Sequence, residues 1–477
     1  MRNHTRMDAK ISVSTQDGHV VCYDQITGVI ADDMLALERY VQKNNLGGFI
    51  DMPQPNEDET QGFVFVLTTK CNLNCSYCYS ITQNKPLSMR QGDTIHILKN
   101  NIRDDARYIF INFFGGEPTL EMDIIRETVE WLKKTIADKT VYFRVSTNGL
   151  VRLEDLDYLI DNKFYIGVSS DGIVDSESHL IKRRVAQQVE QTLLHLVKRN
   201  AIFNVRCTVT DRNYIQLPDF IRYWHSLGIT MAHIEPYHPI GVSEDEIQML
   251  PPQKEFLDSF KNAIELASEL GMWIYTGAYM NLLTPSSYFC TGASGRFKVY
   301  NPDGSISTCY RVQSFDTVHS NFIIGNWRSF IVNEAWENNR KRLHEHDIDT
   351  IDSCSICKVR FACSGGCLMR NYTQSGVITE PDKWICNVKK ELCTDAIIRI
   401  WKAIEKKEKP IVLGRFVFED KVIKHPAIDN RGMIQVENRI LKIPTDGHAF
   451  DVFESIGMDR NDKDTIFNRK IARSECI

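Results

Sequence analysis

Six short runs rich in branched and aromatic residues, at 63–69, 109–114, 141–147, 165–170, 204–210 and 231–237, recur along the middle of the chain. Between them lie stretches at 121–137, 153–162, 186–198 and 217–227 whose apolar residues recur three and four apart. Six strands in alternation with amphipathic helices imply a parallel sheet of α/β type, with the helices covering one face. In such a fold ligands gather at the carboxyl ends of the strands.

The segments at those ends are polar or rich in glycine. The first strand runs into Cys71, Asn72, Leu73, Asn74, Cys75, Ser76, Tyr77 and Cys78. Gly115, Gly116, Glu117 and Pro118 follow the second, Asn148 and Gly149 the third, and Ser169, Ser170, Asp171 and Gly172 end the fourth. Any one of these alone reads as a turn. Four in register describe a ligand site. Three thiolates on one loop suit a four-iron cluster with one iron left open, and an open metal position is where chemistry happens.

Composition narrows the class. A chain of 477 residues has room for two or three domains. The net charge is -5 and basic residues are spread along the sequence, which argues against broad nucleic-acid or membrane-surface binding. No apolar stretch reaches the ~18 residues of a spanning helix, and the polar start does not resemble a secretory signal. A cytoplasmic location is expected. Fourteen cysteines in that compartment point to metal ligation rather than disulfides. Cys22, Cys207, Cys393 and Cys476 fall outside the motifs and read as small buried hydrophobes.

The cysteine loop, with Tyr77 before its last thiol, resembles the motif of radical S-adenosylmethionine (SAM) enzymes. The resemblance implies a partial (β/α)6 TIM-like barrel in which Cys71, Cys75 and Cys78 hold a 4Fe-4S cluster and the open iron chelates SAM. Reductive cleavage of SAM then yields a 5'-deoxyadenosyl radical that removes hydrogen from substrate, the cofactor carrying the hard chemistry. By the same resemblance Tyr77, Gly115, Gly116, Glu117, Asn148, Ser169 and Arg184 become expected cofactor contacts. Gly115 to Glu117 match the methionine-binding turn, with glycine leaving room for close backbone approach. Ser169 matches a ribose contact, and Arg184 (or Arg183) pairs with the SAM carboxylate.

The distal cysteines add a second signature. Cys290 is followed by thirteen residues, Gly304, four residues and Cys309; Cys354, Cys357, Cys363, Cys367 and Cys386 come later. This spacing resembles the SPASM domain, which implies two auxiliary 4Fe-4S clusters, three clusters in all. Cys354, Cys357, Cys363 and Cys386 would complete the outer one, and Cys290, Cys309 and Cys367 would hold the inner one. A zinc ribbon of four thiolates is the competing reading of the later cysteines. The inner set is one thiolate short: either Cys393 or Cys22 supplies it, or the open iron takes a substrate thiolate, the reading favoured here.

Strand-like segments at 10–14 and 19–23 around Asp17 and Gly18, then a helix at 34–43, resemble a reduced peptide-recognition module, although a cap on the barrel fits equally well. Residues 51–60 read as a linker, 395–407 as a helix, and 414–443 as short strands around Asn430, Arg431 and Gly432. The expected organisation is a peptide-recognition-like module and linker at 1–55, a radical SAM barrel at 56–285, a SPASM domain at 286–400 and an extension at 401–477. The family resemblance implies a maturase acting on a ribosomally made precursor peptide with a leader, fed by a reductant such as flavodoxin or ferredoxin. Thioether formation is the favoured product. Carbon-carbon crosslinking or formylglycine formation in a sulfatase are the alternatives.

Overall fold

The computed structural model describes residues 10–43, 60–80, 86–172, 183–239, 248–276 and 288–405 with short breaks, and four strands between 417 and 442. Two compact units result, and they do not follow the chain in one pass. One lies within Pro53–Pro251 and Cys290–His346; the other lies within Met1–Met52, Pro252–Phe289 and Asp347–Ile477. The compact units thus divide the chain differently from the four consecutive segments expected, since the stretch 286–400 contributes to both.

The second unit begins with β1 (Lys10–Ser14), β2 (Val20–Asp24), β3 (Val29–Ala31) and α1 (Met34–Lys43). The first three pair antiparallel in order, with Ser12 opposite Cys22 and Cys22 opposite Ala31. Cys22, Ala31 and Leu37 form a small apolar cluster beneath them.

The other unit carries the expected parallel sheet: β4 (Thr60–Thr68), β5 (Tyr108–Gly115), β6 (Thr140–Thr147), β7 (Tyr165–Ser169), β8 (Phe203–Val209) and β9 (Met231–Pro236), each parallel to the next. Helices α2 (Asp93–Asn101), α3 (Met122–Thr135), α4 (Leu153–Asp161), α5 (Arg183–Lys198) and α6 (Leu217–Ser226) connect them. β4 is buried along almost its whole length, as a strand covered on both faces must be, and its run Phe63–Leu67 is correspondingly all apolar. Register brings Thr68 opposite Gly115 and Thr147 opposite Val168, so the strand exits fall along one rim.

The far edge of β4 is taken by β11 (Phe297–Tyr300), which runs parallel to it and leads into β12 (Ser305–Ser307) and β13 (Ile323–Asn326). Gly62 makes that pairing possible. Its register partner is Phe297, whose ring lies 2.1 Å from where a Cβ on residue 62 would stand. Tyr300 stacks against Phe63 with ring centroids 5.8 Å apart.

In the remaining unit, helices Gln253–Glu269 and Lys383–Glu405 pack together. The longer helix also packs on β1 and β2. It starts at Lys383 rather than near 395, after Asp382, whose Oδ1 accepts from the Trp384 amide at 2.8 Å. The C-terminal strands β14 (Val417–Glu419) and β15 (Val422–Lys424) extend the first sheet, in the order β1-β2-β3-β15-β14. Strands Met433–Val436 and Arg439–Lys442 form a separate hairpin. Residues 51–59 of the stretch read as a linker, Asp17, the turn at 430–432 and the stretch 459–477 lie outside the described residues. Among the described residues no helix is long and apolar enough to cross a membrane.

Candidate active site

The cysteine loop leaves β4 and is held in place by backbone. The Leu73 amide donates to the Cys71 Sγ at 3.3 Å, and the Cys78 amide donates to the Cys75 carbonyl at 3.1 Å. All three thiols are half-buried. Burial pushes the Cys75 thiol up to about 12, with Asp171 and then Cys78 and Cys71 adding to the effect. Burial likewise raises Cys71, seconded by Glu117 and Cys78. Cys71 and Cys75, crowded beside two carboxylates, resist ionisation by themselves. A cationic iron centre is what makes such a set ionise, so the donor chemistry fits a cluster.

The glycine turn packs closely on the exit of β4. A Cβ on Gly115 would stand 2.3 Å from the Thr68 carbonyl oxygen, and one on Gly116 2.3 Å from that of Lys70. The amides of Gly116 and Glu117 donate to those same carbonyls at 2.8 and 2.9 Å. Glycine is therefore demanded by the strand exit that leads into the cysteine loop. The space it saves is filled by protein.

Glu117 is turned into the protein at the same rim. Its side chain is 0% exposed. One carboxylate oxygen accepts from Thr147 Oγ1 at 2.8 Å, Thr119 Oγ1 at 2.7 Å and the Thr119 amide at 3.1 Å, and the other accepts from the Asn148 amide at 2.7 Å. Burial raises its carboxyl while these donors oppose the shift. Glu117 braces the exits of β5 and β6. Asn148, thus fixed, donates through Nδ2 to Asn72 at 2.7 Å and to the Cys71 Sγ at 3.6 Å.

Across the rim, Tyr77 donates its hydroxyl to the Asp171 carboxylate, whose other oxygen accepts from the Thr208 amide at 3.0 Å. Asp171 is 2% exposed, and burial lifts its carboxyl to about 6. Tyr77, expected among the cofactor contacts, ties the cysteine loop to β7 and β8. Ser170 is buried and accepts from Trp224 Nε1 at 3.1 Å, whereas Ser169 at the strand end is half-buried. Arg184 stands in the first turn of α5, its side chain outside the described residues.

Residues 65–222 match the Radical SAM superfamily. The chain carries a radical SAM domain. The match spans the cysteine loop, the glycine turn and the Tyr77–Asp171 bond, and the family implies a 4Fe-4S cluster with SAM. The chain is 23% identical over 326 residues to a cysteine-type anaerobic sulfatase-maturating enzyme of Clostridium perfringens, covering 62% of this chain and 85% of that protein. It is 23% identical over 375 residues to the radical SAM cyclopropyl synthase TigE of Paramaledivibacter caminithermalis, covering 72% and 75%. The fold resembles that of native anSMEcpe with bound AdoMet, at a TM-score of 0.60 and 19% identity over 73% of this chain and 100% of the other. In this setting Cys71, Cys75 and Cys78 are the residues that would hold the cluster. Among the described residues no three thiol, imidazole or carboxylate groups converge on a single ion, whereas cluster ligands bind separate irons and need no common point.

Beyond the radical SAM domain, Cys290 and Cys309 are drawn together by a tight turn. A Cβ on Gly292 would stand 2.1 Å from the Thr308 carbonyl oxygen, so the loop after Cys290 packs on the residue before Cys309. Tyr79 and Tyr310, each next to a motif cysteine, bring their rings 6.3 Å apart, and Tyr310 meets Phe114 edge-on at 4.8 Å. Burial, then Tyr310, raises the Tyr79 hydroxyl, and both Cys78 and Cys309 add to it. Sequence reasoning missed these tyrosines; their positions beside cysteines were the available signal.

In the other unit Cys354, Cys357, Cys363 and Cys386 are near neighbours: burial pushes Cys354 up to about 12, with Cys363, Cys357 and Cys386 adding to it. Cys393 is buried beside Cys363 and Cys357. Of the two spare cysteines, Cys393 accompanies the outer thiols and Cys22 lies in the N-terminal apolar cluster. Cys367 precedes the helix Leu368–Ser375 in this same unit.

Proposed function

We propose that this chain is a radical SAM peptide maturase that joins a cysteine sulfur to carbon in a ribosomally made precursor. The observation that carries the reading is the contact of Tyr79 with Tyr310 at 6.3 Å between ring centroids, one ring next to Cys78 and the other next to Cys309. A substrate thiol held on the Cys309 side would then sit one aromatic layer from the radical source. When bound, SAM and the cluster on Cys71, Cys75 and Cys78 supply a 5'-deoxyadenosyl radical.

The protein's own residues divide the remaining work. Ser169 and the backbone of Gly115, Gly116 and Asn148 line the rim on which SAM would lie, with Arg184 for its carboxylate. Cys290, Cys309 and Cys367 hold an inner auxiliary cluster short of one ligand, leaving a soft site for a substrate thiolate. Cys354, Cys357, Cys363 and Cys386 hold the outer cluster of a SPASM domain. β1 is an edge strand of the N-terminal sheet, a place where a leader peptide can add as a further strand. Electrons come from a flavodoxin or ferredoxin.

A second reading is favoured by the match to most of the Clostridium sulfatase maturase: oxidation of a protein cysteine or serine to formylglycine. Anaerobic reconstitution tests the class. About twelve irons per chain and release of 5'-deoxyadenosine are expected from three four-iron clusters; zinc in place of iron, or intact SAM, overturns it. Product mass then separates the chemistries. Loss of two hydrogens with one thiol blocked marks a thioether, the same loss with thiols free marks a carbon crosslink, and an aldehyde trapped by hydrazine marks formylglycine.

A further inference from the structure

Lys389 is out of place as a surface lysine. It is 5% exposed, on the long helix three residues after Cys386 and four before Cys393, and those spacings put all three on one helix face. Among the described residues its Nζ has no hydrogen-bond acceptor and no carboxylate partner. Its Nζ lies over the face of Phe289, 4.1 Å from the ring centroid, and its charge favours ionisation of the Cys363 and Cys393 thiols.

A buried ammonium is costly unless a counter-charge lies close. An aromatic face supplies only part of that compensation. Protonated thiols supply none. Four thiolates closed around an iron-sulfur core are a net anion, and one of them, Cys386, lies on the same helix face as Lys389.

We propose that Lys389 is the built-in charge partner of the outer auxiliary cluster and sets its reduction potential. The inference rests on the reading of Cys354, Cys357, Cys363 and Cys386 as cluster ligands. On reduction the cluster accepts one electron from the external flavodoxin-type or ferredoxin-type donor, and its negative charge grows by one. The fixed cation favours that reduced state and no proton moves, so the potential rises relative to a site with a neutral residue.

The test is a redox titration of the full-length, anaerobically reconstituted protein followed by electron paramagnetic resonance, with iron and sulfide measured on each sample. Lys389→Met is expected to lower the midpoint of one cluster signal and leave the signal of the Cys71, Cys75, Cys78 cluster unmoved, while Lys389→Arg restores it. Selective loss of about four irons in Lys389→Met, with normal circular dichroism, also supports a charge needed to hold this cluster. Lys389→Gln covers the case in which the methionine variant does not fold. Full iron content with an unshifted midpoint in either neutral variant overturns the inference. Unchanged iron in Cys354→Ala/Cys357→Ala instead overturns the underlying ligand reading, so the two failures are separable.

Discussion

The Tyr77 hydroxyl donates to the buried carboxylate of Asp171, so the residue just before the last cysteine of the loop is fastened to the turn between β7 and α5. Tyr77→Phe keeps the ring and deletes only this bond, leaving Asp171 with the Thr208 amide. A buried acceptor that loses a donor costs about 1–3 kcal/mol. We expect a lower thermal midpoint and a several-fold slower release of 5'-deoxyadenosine, with Tyr77→Leu worse on both. Wild-type cleavage rates in Tyr77→Phe would show that the bond does not position the loop.

Asp171 also predicts a pH dependence. Its carboxyl moves from 3.8 to about 6 through burial, so between those values the folded chain holds a proton that the unfolded chain has released. Stability therefore falls as pH rises through that window and the penalty is complete above it. The shift of roughly two units corresponds to about 3 kcal/mol. Asp171→Asn cannot titrate, so on metal-free protein its urea midpoint should gain on wild type from pH 4 to pH 6 and run parallel above. A variant that instead loses ground as pH rises would refute the raised carboxyl.

Gly116 is where a single methyl group should disturb the metal loop. The Lys70 carbonyl that a Cβ would strike precedes Cys71 directly, and backbone cannot step aside as a flexible side chain can. Gly116→Ala is expected to fold with its parallel sheet intact, seen by circular dichroism, yet to bind several-fold less iron at the triplet. Gly92→Ala, strained by a φ of +84° but with nothing within 4 Å of the added Cβ, serves as the control for backbone strain away from the loop. Equal iron in the two variants would contradict the role assigned to the turn.

The sheet and its ligand-bearing rim were legible because burial on both faces writes continuous apolar runs such as Phe63–Leu67, and because polar turns at strand exits stand out against them. Side-chain direction was not legible. Glu117 and Tyr77 look like ligand groups in a motif, but the Glu117 carboxylate takes donors from Thr147 and the Asn148 amide and the Tyr77 hydroxyl turns to Asp171, relationships between residues 30 or more apart in sequence. Lys389 carries no signal in the sequence and lies outside the helix read at 395–407. Only the packing of its helix shows it to be buried beside thiols. The joining of β3 to β15 was equally hidden, since nothing in either segment names a partner almost four hundred residues away.

Gln25 gives the last test, because it links the N-terminal strands to the outer thiols within one compact unit. Its side chain is 2% exposed; Nε2 donates to the Lys358 carbonyl at 2.7 Å, and Oε1 accepts from the Ala362 amide at 3.2 Å. Those two backbone groups lie inside the loop between Cys357 and Cys363. Removing the amide leaves both without this partner, at about 1–3 kcal/mol each in the worst case, and should free the loop locally before it unfolds the chain. In metal-free Gln25→Ala, alkylation of Cys357 and Cys363 by iodoacetamide is expected to speed up several-fold, while Cys71, Cys75 and Cys78 in the same sample react at the wild-type rate. Gln25→Glu should accelerate it further, since a carboxylate keeps the acceptor but loses the donor and buries a charge. Wild-type alkylation rates at Cys357 and Cys363 in both variants would mean that the N-terminal strands do not hold this loop.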